Sequence, residues 1–169
     1  MNSWVWVPIA AISSSSYAAT YLTVEQAQQA LFPGKSFTAA FLTLGDEQAA
    51  QILSSSGVKV LSREIHAWKV QDGGLFVVDE VVGKHEFITY AVGINPQGAV
   101  VGVEILDYRE AYGYEVRNAA WRSQFQRKTT TDPLQLGRDI RNISGATLSS
   151  KHVTEGIKRV LATYAVAFR

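Results

Sequence analysis

The longest periodic run of apolar residues in the chain is its last. Val153, Ile157, Val160, Leu161, Tyr164 and Phe168 recur at spacings of three and four, the stripe of an amphipathic helix resting on a core. Two shorter helices are expected near the start. Thr23-Val24-Glu25-Gln26 has the spacing of a capping box, and Val24, Ala27, Ala30 and Leu31 follow on one face until Pro33-Gly34 ends the run. A second begins around Asp46, carries Ala49, Ala50, Ile52 and Leu53, and stops at Ser54-Ser55-Ser56-Gly57. Between Val58 and Tyr108 the pattern changes to strands: Val58–Leu61, His66–Val70, Leu75–Val82, Phe87–Ile94 and Ala99–Leu106 are rich in β-branched and aromatic residues. Asp72-Gly73-Gly74, Gly83-Lys84-His85 and Asn95-Pro96-Gln97-Gly98 supply the turns between them.

Loops this short join only antiparallel neighbours, so the middle of the chain reads as a meander. The fold class expected is α+β, an antiparallel β meander covered by N-terminal and C-terminal helices, with both helices on one face. No Gly-x-Gly-x-x-Gly follows a strand, which argues against a Rossmann cofactor site.

Composition narrows the chemistry. At 169 residues, 47% hydrophobic and 18% charged, the chain is the size of one globular domain. A formal net charge of +1, with no stretch mixing dense Lys/Arg and aromatics, gives no argument for nucleic acid. The absence of cysteine excludes disulfides, thiolate zinc sites, iron–sulfur clusters and c-type haem attachment. No Ser-His-Asp, paired-carboxylate or metal-ligand spacing points to hydrolysis or metal catalysis.

The first residues differ from the rest. Trp4 to Ile12 is apolar but too short to span a bilayer comfortably, Ser13 to Ser16 is small and polar, and Ser16-Tyr17-Ala18 followed by Ala19 fits a signal-peptidase site. Residues 1–19 are therefore expected to be a signal peptide, with the mature chain beginning near Ala19 or Thr20 and acting in the periplasm or otherwise outside the cytoplasm. Met1-Asn2-Ser3 lacks the usual Lys or Arg, which keeps open a cytosolic domain with a disordered N-terminal arm.

The densest chemistry lies in Ser144-Gly145-Ala146-Thr147-Leu148-Ser149-Ser150, just ahead of the C-terminal stripe. Gly145 and Ala146 let a bulky group approach the backbone, and Thr147 offers an oxygen nucleophile where unpaired N–H groups and the helix dipole favour an anion. Ser149 and Ser150 are candidate hydroxyl donors. The plainer reading is that Ser144 or Thr147 merely caps the helix. A second constellation, Asp107 to Arg117, packs charges and aromatics around Gly113 and suits a planar, polar ring.

The run Ser-Gly-Ala-Thr resembles the attachment sequence of the FMN-binding domain family, in which a flavin transferase joins FMN to the threonine hydroxyl through a phosphoester. The flavin-carrying subunits of the sodium-pumping NADH:quinone reductase and of the Rnf complex carry Glu-Thr-Pro-Gly-Leu-Gly and then Phe-x-Gly-Lys upstream. Glu110 and Gly113 stand at the Glu and first Gly positions, and Phe125-Gln126-Arg127-Lys128 resembles the second stretch with Arg127 in place of Gly. With Gly83-Lys84-His85 and Ile88-Thr89-Tyr90, the resemblance runs from about Val81 to the C-terminus. Arg141 stands where the family carries Asp, three residues before Ser144, and Asp139 is the nearest carboxylate.

The resemblance implies that residues 20–169 form an FMN-binding domain with FMN esterified to Thr147. Ser144, Gly145, Ala146, Leu148, Ser149, Glu110, Tyr112, Gly113, Lys128 and His85 are expected around the cofactor, with Lys84 and Arg109 as further donors and Tyr112, Tyr114 and Trp121 as stacking partners. The partners implied are a flavin transferase that uses FAD as FMN donor and redox proteins of the cell envelope. The expected role is an electron carrier without a substrate pocket of its own. The alternative is a non-redox binding module of the same fold, holding an unlinked phosphate ligand or only capping the helix.

Overall fold

The computed structural model describes residues 19–110 and 112–169. The proposed signal sequence lies outside the described residues apart from Ala19. Thr23 opens helix α1 (Val24–Leu31) with the expected capping box, its hydroxyl accepting from Gln26 N–H while the Gln26 side chain accepts from Thr23 N–H. Helix α2 (Asp46–Ser56) begins at the expected residue and ends at Gly57 in the left-handed conformation. Helix α4 (Thr147–Ala167) is the C-terminal stripe, and α3 (Ala119–Arg122) is a single turn that the apolar pattern did not signal.

Strands β4 (Glu64–Val70), β5 (Leu75–Val82), β6 (Phe87–Ile94) and β7 (Val100–Tyr108) pair in sequence order as an antiparallel meander. Three short strands extend it: β1 (Ala19–Thr20) along β7, and β2 (Phe37–Ala39) and β3 (Leu42–Thr43) along β4. Val58–Leu61 forms no strand; the residues that pair with β3 start at Glu64.

The helices do not share a face. Side chains alternate across each strand. Leu75, Val77, Ile88, Tyr90, Val92, Val103 and Ile105 meet Val153, Ile157, Val160 and Leu161 of α4 on one side. Phe76, Ala91 and Leu106 meet Ala27, Leu31 and Phe32 on the other. The sheet is apolar on both faces, so burying both requires a helix on each. Helix α2 packs against α4 through Ile52 and Ala162. No helix among the described residues is long and apolar enough to cross a membrane.

Candidate functional site

One end of the sheet brings together the turn between β5 and β6, the chain beyond β7 and the front turn of α4. They enclose a groove of about 420 Å³ lined by Lys84, His85, Glu110, Tyr112 and the run Gly145 to Ser149. That volume falls within the roughly 300–1,000 Å³ of small-molecule sites. Glu110 and Tyr112 of one constellation read from the sequence thus meet Gly145 to Ser149 of the other at a single groove.

The attachment run owes its shape to one glycine. Gly145 has φ +82°, a left-handed backbone that residues with a Cβ reach only at a cost, and an added Cβ there would meet nothing within 4 Å. The left-handed conformation by itself calls for glycine at 145, which also lines the groove. The turn delivers Ala146 as the N-cap of α4, with its methyl buried and no side-chain cap. Thr147 is the first helical residue, exposed, and neither it nor Ser144 caps the helix. The first-turn amides are left to an outside acceptor.

Neighbouring hydroxyls are already engaged. Tyr108, buried at the end of β7, donates its phenolic proton to Tyr112 O, and its oxygen lies 3.1 Å from Ser149 Oγ. The Ser149 proton therefore goes to the Tyr108 oxygen. Burial pushes the Tyr108 phenol up despite the Ser149 bond, which keeps it a donor. Ser150 is fully buried with Oγ 2.7 Å from Ala146 O. Neither serine supplies the free hydroxyl expected of it.

Glu110 has a task of its own. Its Oε1 accepts from the backbone N–H groups of Lys84, His85 and Glu86, tying the chain beyond β7 to the β5–β6 turn. A Cβ on Gly83 would come within 2.6 Å of that oxygen, so the turn needs glycine there for the carboxylate to enter. Desolvation raises the Glu110 pKa, but the three N–H bonds outweigh it and hold the carboxyl below its ordinary value. Glu110 builds the wall of the groove, with one oxygen committed.

Other expected members stand elsewhere. Lys128 does not line the groove; its Nζ sits 2.9 Å from Asp139 and 3.5 Å from Asp132, the ion pairs that hold it away. Asp139 is also spent, accepting from Leu134 and Gln135 N–H as well as Lys128. Arg109 pairs with Asp107 at 2.8 Å. Ser144 is exposed outside the groove lining, and Gly113 is buried behind it with φ +91°, where a Cβ would come within 2.6 Å of the Tyr108 hydroxyl. Trp121 is a core residue edge-on to Phe125, and its Nε1–H donates to Arg141 O at 2.7 Å. Tyr112 is the exposed aromatic at the groove, and Tyr114 is exposed but outside its lining.

The Phe125-Gln126-Arg127-Lys128 stretch is explained by backbone. Arg127 has φ +66°, the conformation for which glycine is suited, and its N–H donates to Val100 O while Lys128 O accepts from Val100 N–H. The stretch anchors the long segment leading to Arg141. Tyr108, Asn142 and the Gly83 turn were not singled out from the sequence for the contacts they make; a tyrosine two residues ahead of Glu110 and an asparagine five ahead of Thr147 are the signals that were there to read.

Comparison with known families finds that residues 83–162 match the FMN-binding domain. The match begins at the β5–β6 turn and ends within α4, so it contains every groove residue. A comparison with curated proteins finds no match.

Proposed function

Because residues 83–162 match the FMN-binding domain, we propose that the groove holds FMN, that the phosphate is esterified to Thr147 Oγ1, and that the protein is an extracytoplasmic electron carrier. The observation that carries this reading is the uncapped front turn of α4, which opens beside an exposed Thr147 hydroxyl into a groove lined by Lys84 and Tyr112. The donor set suits the cofactor. Free amides and the helix dipole favour a phosphate, a lysine adds positive charge, and an exposed tyrosine offers a face to a flat ring. FMN, when bound, supplies one- and two-electron transfer. The chain's own residues bind and orient it: Glu110 fixes the Lys84–Glu86 turn, and Tyr108 locks the Tyr112 backbone to Ser149. A tether prevents cofactor loss where no flavin pool exists, which fits the small-x-small cleavage pattern before Ala19.

The test is denaturing electrophoresis viewed for flavin fluorescence after co-expression with a competent flavin transferase. Wild type should give a fluorescent band and Thr147→Ala none. The variant should stay folded, because Thr147 is exposed and is not the cap; surface changes of this kind cost about 0.5 kcal/mol or less. A fluorescent Thr147→Ala band would remove the covalent reading. A colourless, unmodified wild type would favour the non-redox module, after Arg141→Asp has been tried to restore the family's carboxylate. N-terminal sequencing of the native protein that found Met1 or Asn2 would end the export reading.

A further inference from the structure

The hydroxyl of Thr147 is already held by this chain. Asn142 Nδ2–H donates to Thr147 Oγ1 at 3.1 Å, and the other end of the same amide, Oδ1, lies 3.1 Å from Ser150 Oγ, whose single proton it shares with Ala146 O at 2.7 Å. Ser150 is wholly buried, while Asn142 and Thr147 are exposed. A chain of contacts therefore runs from a rigid point in the helix, through an amide, to the exposed oxygen. The backbone ahead of Asn142 is rigid as well: Arg141 N–H donates to Gln124 Oε1 at 2.9 Å and Arg141 O accepts from Trp121 at 2.7 Å. Exposed side chains have no packing reason to be held this way, and ordering them costs rotamer entropy.

Resting on the reading that FMN is linked to Thr147, we propose that Asn142 is a positioning residue for that reaction. It holds Oγ1 at the groove before the flavin donor arrives. Accepting one hydrogen bond occupies one lone pair and leaves the Thr147 proton and second lone pair available. In the attachment step Thr147 Oγ1 forms a bond to the flavin-side phosphorus of FAD, and the bond from that phosphorus to the bridging oxygen breaks. AMP leaves with the electron pair, the hydroxyl proton passes to a base of the transferase, and nothing is oxidised or reduced. An amide that donates cannot take that proton, so Asn142 orients the nucleophile without serving as its base. Arg141 occupies the place of the family's carboxylate, and one residue on the amide supplies a contact to the nucleophile that the arginine does not make.

The experiment measures initial rates of covalent flavin incorporation into the purified chain, with saturating FAD and a flavin transferase, as the concentration of the chain is varied. Asn142→Ala should lower kcat about tenfold, the scale of one hydrogen bond lost at a reacting atom, with KM for the chain little changed. Ser150→Ala, which frees the far end of the amide, should lower the same parameter by about threefold. Circular dichroism checks folding, and if Asn142→Ala does not fold, Ser150→Ala alone decides. Wild-type kcat in the folded variants, or a loss confined to KM, overturns the proposal, since a merely structural or recognition role would move KM and leave kcat. A wild type that takes no flavin overturns the Thr147 reading and this one together, and its blank lane sets that result apart from a defect seen only in the variants.

Discussion

Across its middle turns α4 is packed against the sheet, whereas its front turn leaves open what a helix normally closes. Val153, Ile157 and Leu161 are fully buried against the sheet, and Arg159 reaches Asp79 Oδ2 at 2.6 Å, an oxygen that Tyr90 also approaches at 2.8 Å. Gly156 lets this network form, since a Cβ there would lie 2.2 Å from the Tyr90 hydroxyl. At Ala146 and Thr147 there is no side-chain cap, and the nearby polar groups of Ser149, Ser150 and Glu110 are turned toward the protein itself. One helix thus serves as scaffold in its middle and, in the function proposed above, as binding surface at its end. The scaffold is over-determined so that the end can remain unsatisfied until a ligand arrives.

The most damaging way to break this contrast is in the scaffold. Arg159→Ala would leave Asp79 without its cation beside the buried Tyr90 hydroxyl, and breaking such a pair from one side should cost about 3 kcal/mol. Urea unfolding should show a lower midpoint at unchanged slope, with residual folded protein still accepting flavin. A cost below about 1 kcal/mol would mean that apolar packing alone secures the middle of α4.

A smaller effect is expected at the site end, and it depends on pH. Both Glu110 and Asp139 are desolvated, yet their hydrogen bonds hold each carboxyl below its ordinary value. A folded pKa below the unfolded one means that this stability is present above the unfolded pKa, near 4, and is lost as pH falls through the folded value. Acidification from about pH 5 downward should therefore loosen the β5–β6 turn, and Glu110→Gln should remove part of that sensitivity while costing about 1 kcal/mol at neutral pH. Hydrogen exchange at the Lys84, His85 and Glu86 amides is the measurement. Acid-insensitive protection there, equal in wild type and Glu110→Gln, would sever Glu110 from the turn.

The scaffold was legible in the sequence and the site only half so, for the same physical reason. Periodicity reports burial, and so the apolar stripe of α4, the capping box of Thr23 and the alternating residues of β5 and β6 announced themselves. Periodicity does not say which face of a two-sided sheet a helix will choose, and the expectation that both helices share one failed there. At the site the Ser-Gly-Ala-Thr run and Glu110 were visible as residue types, but their partners were not. Whether Glu110 faces a ring or a backbone turn depends on three N–H groups more than twenty residues away, and no local pattern encodes that pairing. Lys128 was misplaced likewise, because Asp139 captures it through a loop that returns upon itself.

The smallest expected effect sharpens the comparison by asking whether the site end stores backbone strain as well as open hydrogen-bonding groups. Arg127 holds φ +66° within the segment that anchors the loop leading to Arg141, and its N–H bond to Val100 O does not need a side chain. A left-handed residue with a Cβ costs roughly 1–2 kcal/mol, of which glycine's greater freedom in the unfolded chain returns part, so Arg127→Gly should stabilise the protein by about 0.5 kcal/mol. For a domain of this size that is a rise of about 1–2 °C in Tm, within reach of differential scanning calorimetry. Flavin incorporation should be unchanged, since Arg127 does not line the groove. A fall in Tm would show that the Arg127 side chain makes a contribution larger than the strain it imposes. A rise accompanied by slower flavin incorporation would show that the strain itself helps to present Thr147, and the two ends of the argument would then meet in one residue.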